Sequence, residues 1–370
     1  MKTNASKLQQ LSELGQSPWY DNISRETLRN DYLCNLITHG ITGLTSNPTI
    51  FQKAISSSKI YDEDIIHFAR SGSGDERIFE QLAIVDIQSA ADLLAGVYDQ
   101  SLGMDGYVSL EINPHLANDT QGTIDEARRL YREIDRPNAL IKVPGTKEGI
   151  CAVEALISEG ISVNVTLIFS TDVYAEVRNA YISGLEKLAI AGKDLAKVFS
   201  VASFFVSRVD TAVDEKLREI GDQSGSGLVG RSGIANAKVA YADFKKEFEM
   251  ERFSQLAYKG AKIQKPLWAS TSTKNPNLSD VLYIDNLIGV DSINTMADPT
   301  LLAFMDHGSV VDHLTGESEE ARNHLKEIAR LGINLTEISE ILLKDGLQAF
   351  SDSYDQLIVD IAEKRNKILV

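Results

Sequence analysis

Eight stretches of apolar or alternating residues recur along the chain, and amphipathic helical patterns separate them. They lie at residues 17–24, 39–48, 104–112, 138–145, 161–170, 197–207, 265–271 and 291–296. Strands that alternate with helices predict a parallel sheet, because a helical segment can cross back between parallel strands. Eight such units predict a closed (β/α)8 barrel.

Two segments lie outside this eightfold alternation. Residues 222–264 join a Gly/Ser-rich run to a helical pattern, and predict a helical insertion between the sixth and seventh strands. Residues 317–370 predict a C-terminal extension of charged helices that packs on the outside. No composition shift marks a linker, so we expect a single domain over residues 1–370.

Charge and composition exclude several classes of protein. The 370 residues include 37 basic and 53 acidic ones, a net charge of −16, which argues against a nucleic-acid partner. No apolar run approaches the roughly 18 residues of a membrane span. The first residues are polar and do not resemble the apolar core of a signal peptide, and two cysteines are too few for a disulfide framework. We therefore expect a cytoplasmic protein. The six histidines lack metal-ligand spacing, so we expect no metal.

Several strands carry polar side chains where a sheet covered on both faces should be continuously apolar. Glu111 shares a face with Ser109, Asn164 shares one with Thr166, and Lys142 interrupts an apolar strand. These groups lie in the later halves of their strands. Since active sites of this fold lie at the carboxyl ends of the strands, we expect these groups to converge inside the barrel mouth.

A lysine inside a barrel suggests a particular chemistry. A buried, unprotonated amine can attack a carbonyl and form a Schiff base, which then accepts electrons from a breaking carbon–carbon bond. Such aldolase-type chemistry needs a general acid/base, for which Glu111 and Asp21 are candidates. Lys142 could instead extend to solvent, and Glu111 could form an ordinary ion pair. Asn164 and Thr166 could be satisfied core residues.

Four motifs together resemble the transaldolase family. They are GLTSNPTIF at 43–51, ALIKVPGTKEG at 139–149, VNVTLIFS at 163–170 and the Ser203–Phe205–Arg208 arrangement. The PLWAST…KNP stretch and the helical tail resemble the longer bacterial branch. The resemblance implies a cofactor-free (β/α)8 enzyme of the non-oxidative pentose phosphate pathway. Such enzymes move a dihydroxyacetone unit from sedoheptulose 7-phosphate to glyceraldehyde 3-phosphate, giving erythrose 4-phosphate and fructose 6-phosphate.

The resemblance also implies roles for four catalytic residues. Lys142 matches the Schiff-base lysine of the family. Asp21 matches the aspartate of the first strand that acts as general acid/base during carbon–carbon cleavage. Glu111 and Thr166 match the pair that holds a catalytic water for proton relay.

The same resemblance implies residues that bind the substrate. Asn47 and Asn164 match the asparagines that hydrogen-bond the dihydroxyacetone unit. Thr45 and Ser203 would line that pocket, and Phe205 matches the aromatic residue beside it.

The phosphate-binding residues follow the sixth and seventh strands. Arg208 matches a phosphate-binding arginine of the family, and Ser270 keeps the place of a phosphate-binding serine. Lys274 would stand in for the second arginine of the shorter branch, although the loop here is two residues longer. Lysine binds phosphate as a point charge without a bidentate fork. The alternative is that Lys274 is a surface loop residue.

Two other functions remain open at this point. An enzyme similar to fructose 6-phosphate aldolase would release free dihydroxyacetone, but in that group a tyrosine replaces the glutamate, so Glu111 favours transfer. A non-catalytic sugar-phosphate-binding barrel would not need Lys142. Either a monomer or a homodimer is compatible with the sequence.

Overall fold

A closed barrel of eight parallel strands forms the centre of the computed structural model, which describes residues 5–221 and 227–369. The strands are β1 (Gln16–Tyr20), β2 (Gly43–Leu44), β3 (Val108–Glu111), β4 (Ala139–Pro144), β5 (Val163–Ile168), β6 (Ser200–Phe205), β7 (Lys265–Ala269) and β8 (Ser292–Met296). Each strand pairs with the next along the chain, and β8 pairs with β1 to close the barrel. The predicted (β/α)8 class is confirmed.

Helices surround the barrel and link its strands. They are α1 (Lys7–Glu13), α2 (Arg25–Arg29), α3 (Tyr32–Thr38), α4 (Pro48–Ser57), α5 (Asp62–Arg70), α6 (Asp75–Gln100), α7 (Thr120–Ile134), α8 (Lys147–Glu159), α9 (Thr171–Ile190), α10 (Ser207–Ile220), α11 (Ser232–Phe248), α12 (Glu251–Ala257), α13 (Leu282–Asn286), α14 (Asp298–His307), α15 (Ser318–Arg330) and α16 (Leu335–Leu369). None of the described helices combines the length and the apolar character needed to cross a membrane.

The strand β2 is much shorter than the predicted stretch 39–48. It contains only Gly43 and Leu44. The Asn47 side chain accepts a hydrogen bond from the Ile50 N–H and caps α4, and Pro48 occupies the first turn. Asparagine at the cap and proline at the first helical position both favour a helix start, so the chain leaves the strand early.

Large aromatic side chains fill the amino-terminal end of the barrel. Tyr107 stacks on Phe199 with ring centroids 4.5 Å apart. The Trp19 indole N–H donates to Asp105 at 2.8 Å, so this buried ring also has a polar partner. A Cβ on Gly43 would lie 2.3 Å from Trp19 Cε2, which explains why the smallest residue faces the indole. This end of the barrel is therefore a packed core.

The predicted insertion contains the helices α11 and α12. Two carboxylates of α10 hold the segment that enters α11. Asp214 accepts the Gly230 N–H at 3.0 Å, and Asp210 accepts the Gly233 N–H at 2.7 Å. Residues 222–226 of the insertion lie outside the described residues.

The C-terminal extension occupies two different places. The helix α15 packs against α11 on the outside, as expected. By contrast, α16 reaches the carboxyl-terminal mouth of the barrel and contacts α4 and β5. Its buried stripe recurs every three or four residues, as one face of a helix requires. The stripe contains Gly346, Phe350, Tyr354, Leu357 and Ile361.

Candidate active site

The Lys142 amine lies inside the barrel mouth, between neighbouring strands. Strand register pairs Lys142 with Glu111 on β3 and with Asn164 on β5. Its Nζ donates to the Ser46 carbonyl at 3.0 Å and lies 3.3 Å from Glu111 Oε2. The Lys142 and Glu111 side chains are only 5% and 4% exposed, so this lysine does not extend into bulk solvent. Its surroundings differ from those of an ordinary surface ion pair.

A second carboxylate, Asp21, follows β1 and faces the same mouth. Its backbone N–H donates to the Met296 carbonyl at 2.8 Å, which fixes the chain just beyond the strand. The Thr45 hydroxyl donates to Asp21 Oδ1 at 2.6 Å. The Thr295 hydroxyl lies 2.7 Å from the Thr45 hydroxyl, and extends the chain of hydrogen bonds to β8.

Burial shifts the pKa of both carboxyl groups upwards. Desolvation raises the pKa of Asp21, while the Thr45 hydrogen bond and the Lys142 charge oppose that rise. Desolvation also raises the pKa of Glu111; Lys142 lowers it, and the nearby Asp21 charge raises it further. A carboxylate with a raised pKa is a stronger base, so both groups are suited to proton transfer.

The amide of Asn164 is held in one orientation by its neighbours. Its Nδ2 donates to Ser109 Oγ at 3.0 Å, and the Ser203 hydroxyl donates to Asn164 Oδ1 at 2.7 Å. Within the described part of the chain, Thr166 Oγ1 is a buried atom without a hydrogen-bond partner, and the contact of the buried Glu111 Oε2 is the ion pair with Lys142 Nζ at 3.3 Å. These two atoms retain the capacity to bind a substrate hydroxyl or a water molecule.

Asn47 both caps a helix and lines a cavity at the mouth. Its oxygen accepts the Ile50 N–H at 3.0 Å and is therefore engaged as the cap of α4. Its Nδ2 makes no hydrogen bond to any described residue, and the side chain lines a cavity of about 570 Å³. The helix thus leaves the amide donors to face a ligand.

Two cations line the same cavity. Arg208 lies in the first turn of α10, with its guanidinium carbon 5.4 Å from the centre of the Phe205 ring. Burial lowers the pKa of Arg208, and the Asp345 charge opposes this effect. Lys274, in the loop after β7, is exposed but lines the cavity together with Arg208. Neither forms an ion pair within the ranges that the structure describes.

Phe205 and Ser270 support this cationic side. The Phe205 ring is 7% exposed, and its centroid lies 5.1 Å from that of Phe169. Ser270 has a φ of +55°, and its hydroxyl lies 2.9 Å from that of Ser207. A positive φ is uncommon for serine, and such strain often occurs at functional sites.

The sequence analysis did not identify several residues of this cavity. Lys53 lines the cavity together with Ile50, Ala54 and Ser57 of α4. These residues are spaced three or four apart, so the helical pattern in the sequence could have predicted that they share a face. Phe350 lies with its ring centroid 5.8 Å from Lys142 Nζ, although no local motif connects the two residues. The long separation along the chain concealed that contact.

A carboxylate held by three donors also lines the cavity. Asp298, at the start of α14, accepts the Tyr20 hydroxyl at 2.7 Å, the Tyr32 hydroxyl at 2.8 Å and Asn22 Nδ2 at 2.9 Å. Since Tyr20 and Asn22 flank Asp21, this network fixes the loop that carries Asp21. No group of three or more His, Cys, Asp or Glu side chains in residues 5–221 and 227–369 could hold a metal ion.

Comparison with known proteins agrees with the geometry. A family model described as Transaldolase/Fructose-6-phosphate aldolase matches residues 18–361. The chain is similar to the transaldolase of Thiobacillus denitrificans, with 47% identity over 95% of this chain and 98% of that protein. It is 46% identical to the transaldolase of Parafrankia sp., over 96% of this chain and 97% of the relative. The transaldolase of Mycobacterium tuberculosis is 43% identical, over 97% of each chain.

Proposed function

The chain belongs to the transaldolase/fructose-6-phosphate aldolase family, and we propose that it transfers a dihydroxyacetone unit from sedoheptulose 7-phosphate to glyceraldehyde 3-phosphate. The observation that carries this proposal is the buried Lys142 amine, 3.3 Å from Glu111 Oε2 and in the same mouth as Asp21. A nucleophile beside two carboxylates supplies the groups that imine chemistry requires. The imine itself is the electron sink, so the proposed reaction needs no cofactor.

Lys142 is the proposed nucleophile. Its amine attacks the C2 carbonyl of the ketose phosphate, and loss of water from the carbinolamine gives an iminium ion. Glu111 and Thr166 hold a water molecule between them, and Glu111 accepts and returns protons through this water. Glu111 Oε2, which lies 3.3 Å from the Lys142 amine, and the Thr166 hydroxyl, which has no partner among the described residues, support this assignment.

Asp21 is the proposed acid/base during cleavage of the carbon–carbon bond. Its carboxylate takes the proton of the C4 hydroxyl while the C3–C4 bond breaks, and the electron pair moves into the iminium ion. Erythrose 4-phosphate leaves, and the three-carbon enamine stays on Lys142. Asp21 then returns the proton when the enamine attacks the aldehyde of glyceraldehyde 3-phosphate, and hydrolysis releases fructose 6-phosphate.

Polar residues around Lys142 hold the three-carbon unit in this account. Asn164, fixed by Ser109 and Ser203, and the amide of Asn47 are the proposed ligands of its hydroxyl groups. The engagement of Thr45 with Asp21 gives it an additional role in orienting the base. Fixed donors of this kind reduce the reorganisation needed in the transition state.

Arg208 and Lys274 are the proposed phosphate ligands, with Ser270 beside them. A protein with a net charge of −16 repels an anionic substrate, so local cations have to overcome the overall field. The absence of ion-pair partners for these two residues among the described ones leaves their charges available. Phe205, below the Arg208 guanidinium, restricts its orientation.

A coupled assay tests the proposal with sedoheptulose 7-phosphate and glyceraldehyde 3-phosphate. Formation of fructose 6-phosphate and erythrose 4-phosphate in equal amounts is the expected result. Dihydroxyacetone release is measured in parallel from fructose 6-phosphate alone. Release that outpaces transfer would contradict the transferase function and favour an aldolase.

A further inference from the structure

The helix α16 places an aromatic ring directly over the proposed nucleophile. Phe350 is 5% exposed, and its ring centroid lies 5.8 Å from Lys142 Nζ. The ring also lines the cavity that contains Asp21 and Asn47. An apolar surface at this point limits the approach of water to the amine and to any group bound to it.

A glycine allows α16 to come this close to the barrel. A Cβ on Gly346 would lie 2.9 Å from Leu167 Cδ2 and 3.5 Å from Arg208 Nη1. Leu167 has a φ of +57° at an irregular pairing between β5 and β6, so the end of β5 bends beneath the helix. One turn after Gly346, the same face of α16 presents Phe350.

Two side-chain contacts anchor α16 to one helix beside the mouth. The hydroxyls of Thr49 and Ser353 lie 2.8 Å apart, and Gln52 Nε2 donates to Asp360 at 2.7 Å. Both contacts are made to α4, the helix that begins beside Asn47. The position of the Phe350 ring is therefore coupled to the substrate pocket.

We propose that Phe350 is a specificity-determining residue that shields the three-carbon enamine on Lys142 from solvent and thereby favours transfer over release. This inference rests on the proposed function. When the aldose fragment leaves, the mouth opens to water while the enamine awaits the second aldehyde. A ring over the amine is placed to cover the intermediate during that interval.

The reaction that Phe350 suppresses is a hydrolysis. The enamine carbon takes a proton from solvent and becomes part of an iminium ion. Water adds to the iminium carbon and loses a proton, and the carbon–nitrogen bond of the carbinolamine breaks. Free dihydroxyacetone leaves with the oxygen of that water, and Lys142 recovers its amine. The net change consumes one water molecule and needs no oxidant or reductant.

The test compares two rates in the full-length protein. One is dihydroxyacetone release from fructose 6-phosphate without an acceptor, and the other is transfer from fructose 6-phosphate to erythrose 4-phosphate. Phe350→Ala is expected to raise the ratio of release to transfer about tenfold, because water gains access to the enamine. Phe350→Leu retains most of the apolar volume and is expected to raise the ratio less than about threefold.

Leu357→Ala provides a matched control on the same helix. Leu357 is fully buried in a hydrophobic cluster and is not one of the residues that line the cavity. This substitution loosens the packing of α16 and is expected to leave the ratio unchanged. An equal rise in Leu357→Ala would show that loosened packing, rather than the Phe350 ring, controls release.

The remaining outcomes separate this inference from the proposed function. An unchanged ratio in folded Phe350→Ala, with transfer intact in the parent protein, would overturn the role of Phe350 alone. Absence of transfer in the parent protein would overturn both the proposed function and this inference. Thermal unfolding of each variant shows whether the compared proteins are folded.

Discussion

Two buried lysines at opposite ends of the barrel have different surroundings. Lys142 lies beside Glu111, with an ion-pair distance of 3.3 Å, and its ring neighbour is Phe350. Lys265 begins β7, is 7% exposed, and donates to the Met104 carbonyl at 3.3 Å. Within the described ranges, no carboxylate lies at ion-pair distance from Lys265. The two lysines therefore differ in their carboxylate neighbours rather than in their burial.

The same contrast applies to the two ends of the barrel as a whole. At the amino-terminal end, Trp19, Tyr107 and Phe199 pack against one another in a closed core. At the carboxyl-terminal mouth, the buried Thr166 hydroxyl has no hydrogen-bond partner among the described residues, and Glu111 Oε2 faces the Lys142 amine. One end is packed for stability, and the other holds the polar groups that the proposed reaction uses, at some expense of stability.

Replacing each lysine by methionine is the strongest test of this contrast. Lys142→Met is expected to lower the transfer rate about 10⁴-fold or more, because the variant lacks the amine that is proposed to form the imine. Lys265→Met is the matched control and is expected to keep the rate within about twofold of the parent protein. Steady-state kinetics measure both. Comparable losses in the two variants would contradict the assignment of Lys142.

The next largest effect is expected from Arg208 at the phosphate side of the mouth. Loss of a charge-assisted contact in Arg208→Ala should reduce kcat/KM by about 100-fold, mainly through a higher KM. Arg218→Ala removes an arginine of the same helix, whose Nε donates to the Asp214 carbonyl, and serves as the control. Equal KM values for parent protein and Arg208→Ala would exclude Arg208 as a phosphate ligand.

The amino-terminal end should respond through stability rather than activity. In Gly43→Ala the new Cβ meets Trp19 at 2.3 Å, and we expect a loss of about 1–3 kcal/mol in the free energy of unfolding. Gly74→Ala is the control, since nothing lies within 4 Å of its added Cβ. Chemical denaturation compares the two. If both variants lost stability equally, close packing against Trp19 would not be the reason for Gly43.

The smallest expected effect concerns the pKa of Asp21. The Thr45 hydrogen bond lowers this pKa, so Thr45→Val should raise it further. In the proposed mechanism Asp21 acts as a base in its ionised form, so the acidic limb of the kcat/KM profile should move to higher pH. Thr42→Val, which removes a hydroxyl bonded to the Pro18 carbonyl, is the control. A limb that stays in place or moves to lower pH would argue against Asp21 as that base.

The sequence predicted the barrel because its strands carry strong local patterns. The stretches around β4, β5 and β6 are nearly continuous apolar runs, and the polar residues that interrupt them, including Lys142 and Asn164, do converge at the mouth. The extent of β2 was wrong because a helix cap at Asn47 outweighs the strand pattern. The functional roles of these residues and the single-domain organisation stay predictions.

Contacts between distant parts of the chain could not be predicted in the same way. Phe350 faces Lys142 only because α16 turns over the mouth, and the amphipathic pattern of the tail fits an outside position equally well. The hydrogen bonds that Asp298 accepts from Tyr20, Tyr32 and Asn22 likewise depend on how β1 and β8 close the barrel. Such contacts require the tertiary structure, because no local spacing encodes them.

Borohydride trapping tests the central claim most directly. The protein is reduced in the presence of fructose 6-phosphate, and peptide mass mapping locates the dihydroxyacetone-sized adduct. We predict the adduct on Lys142 and none on Lys265. An adduct on another lysine, or none on folded protein that performs the transfer, would contradict Lys142 as the Schiff-base nucleophile.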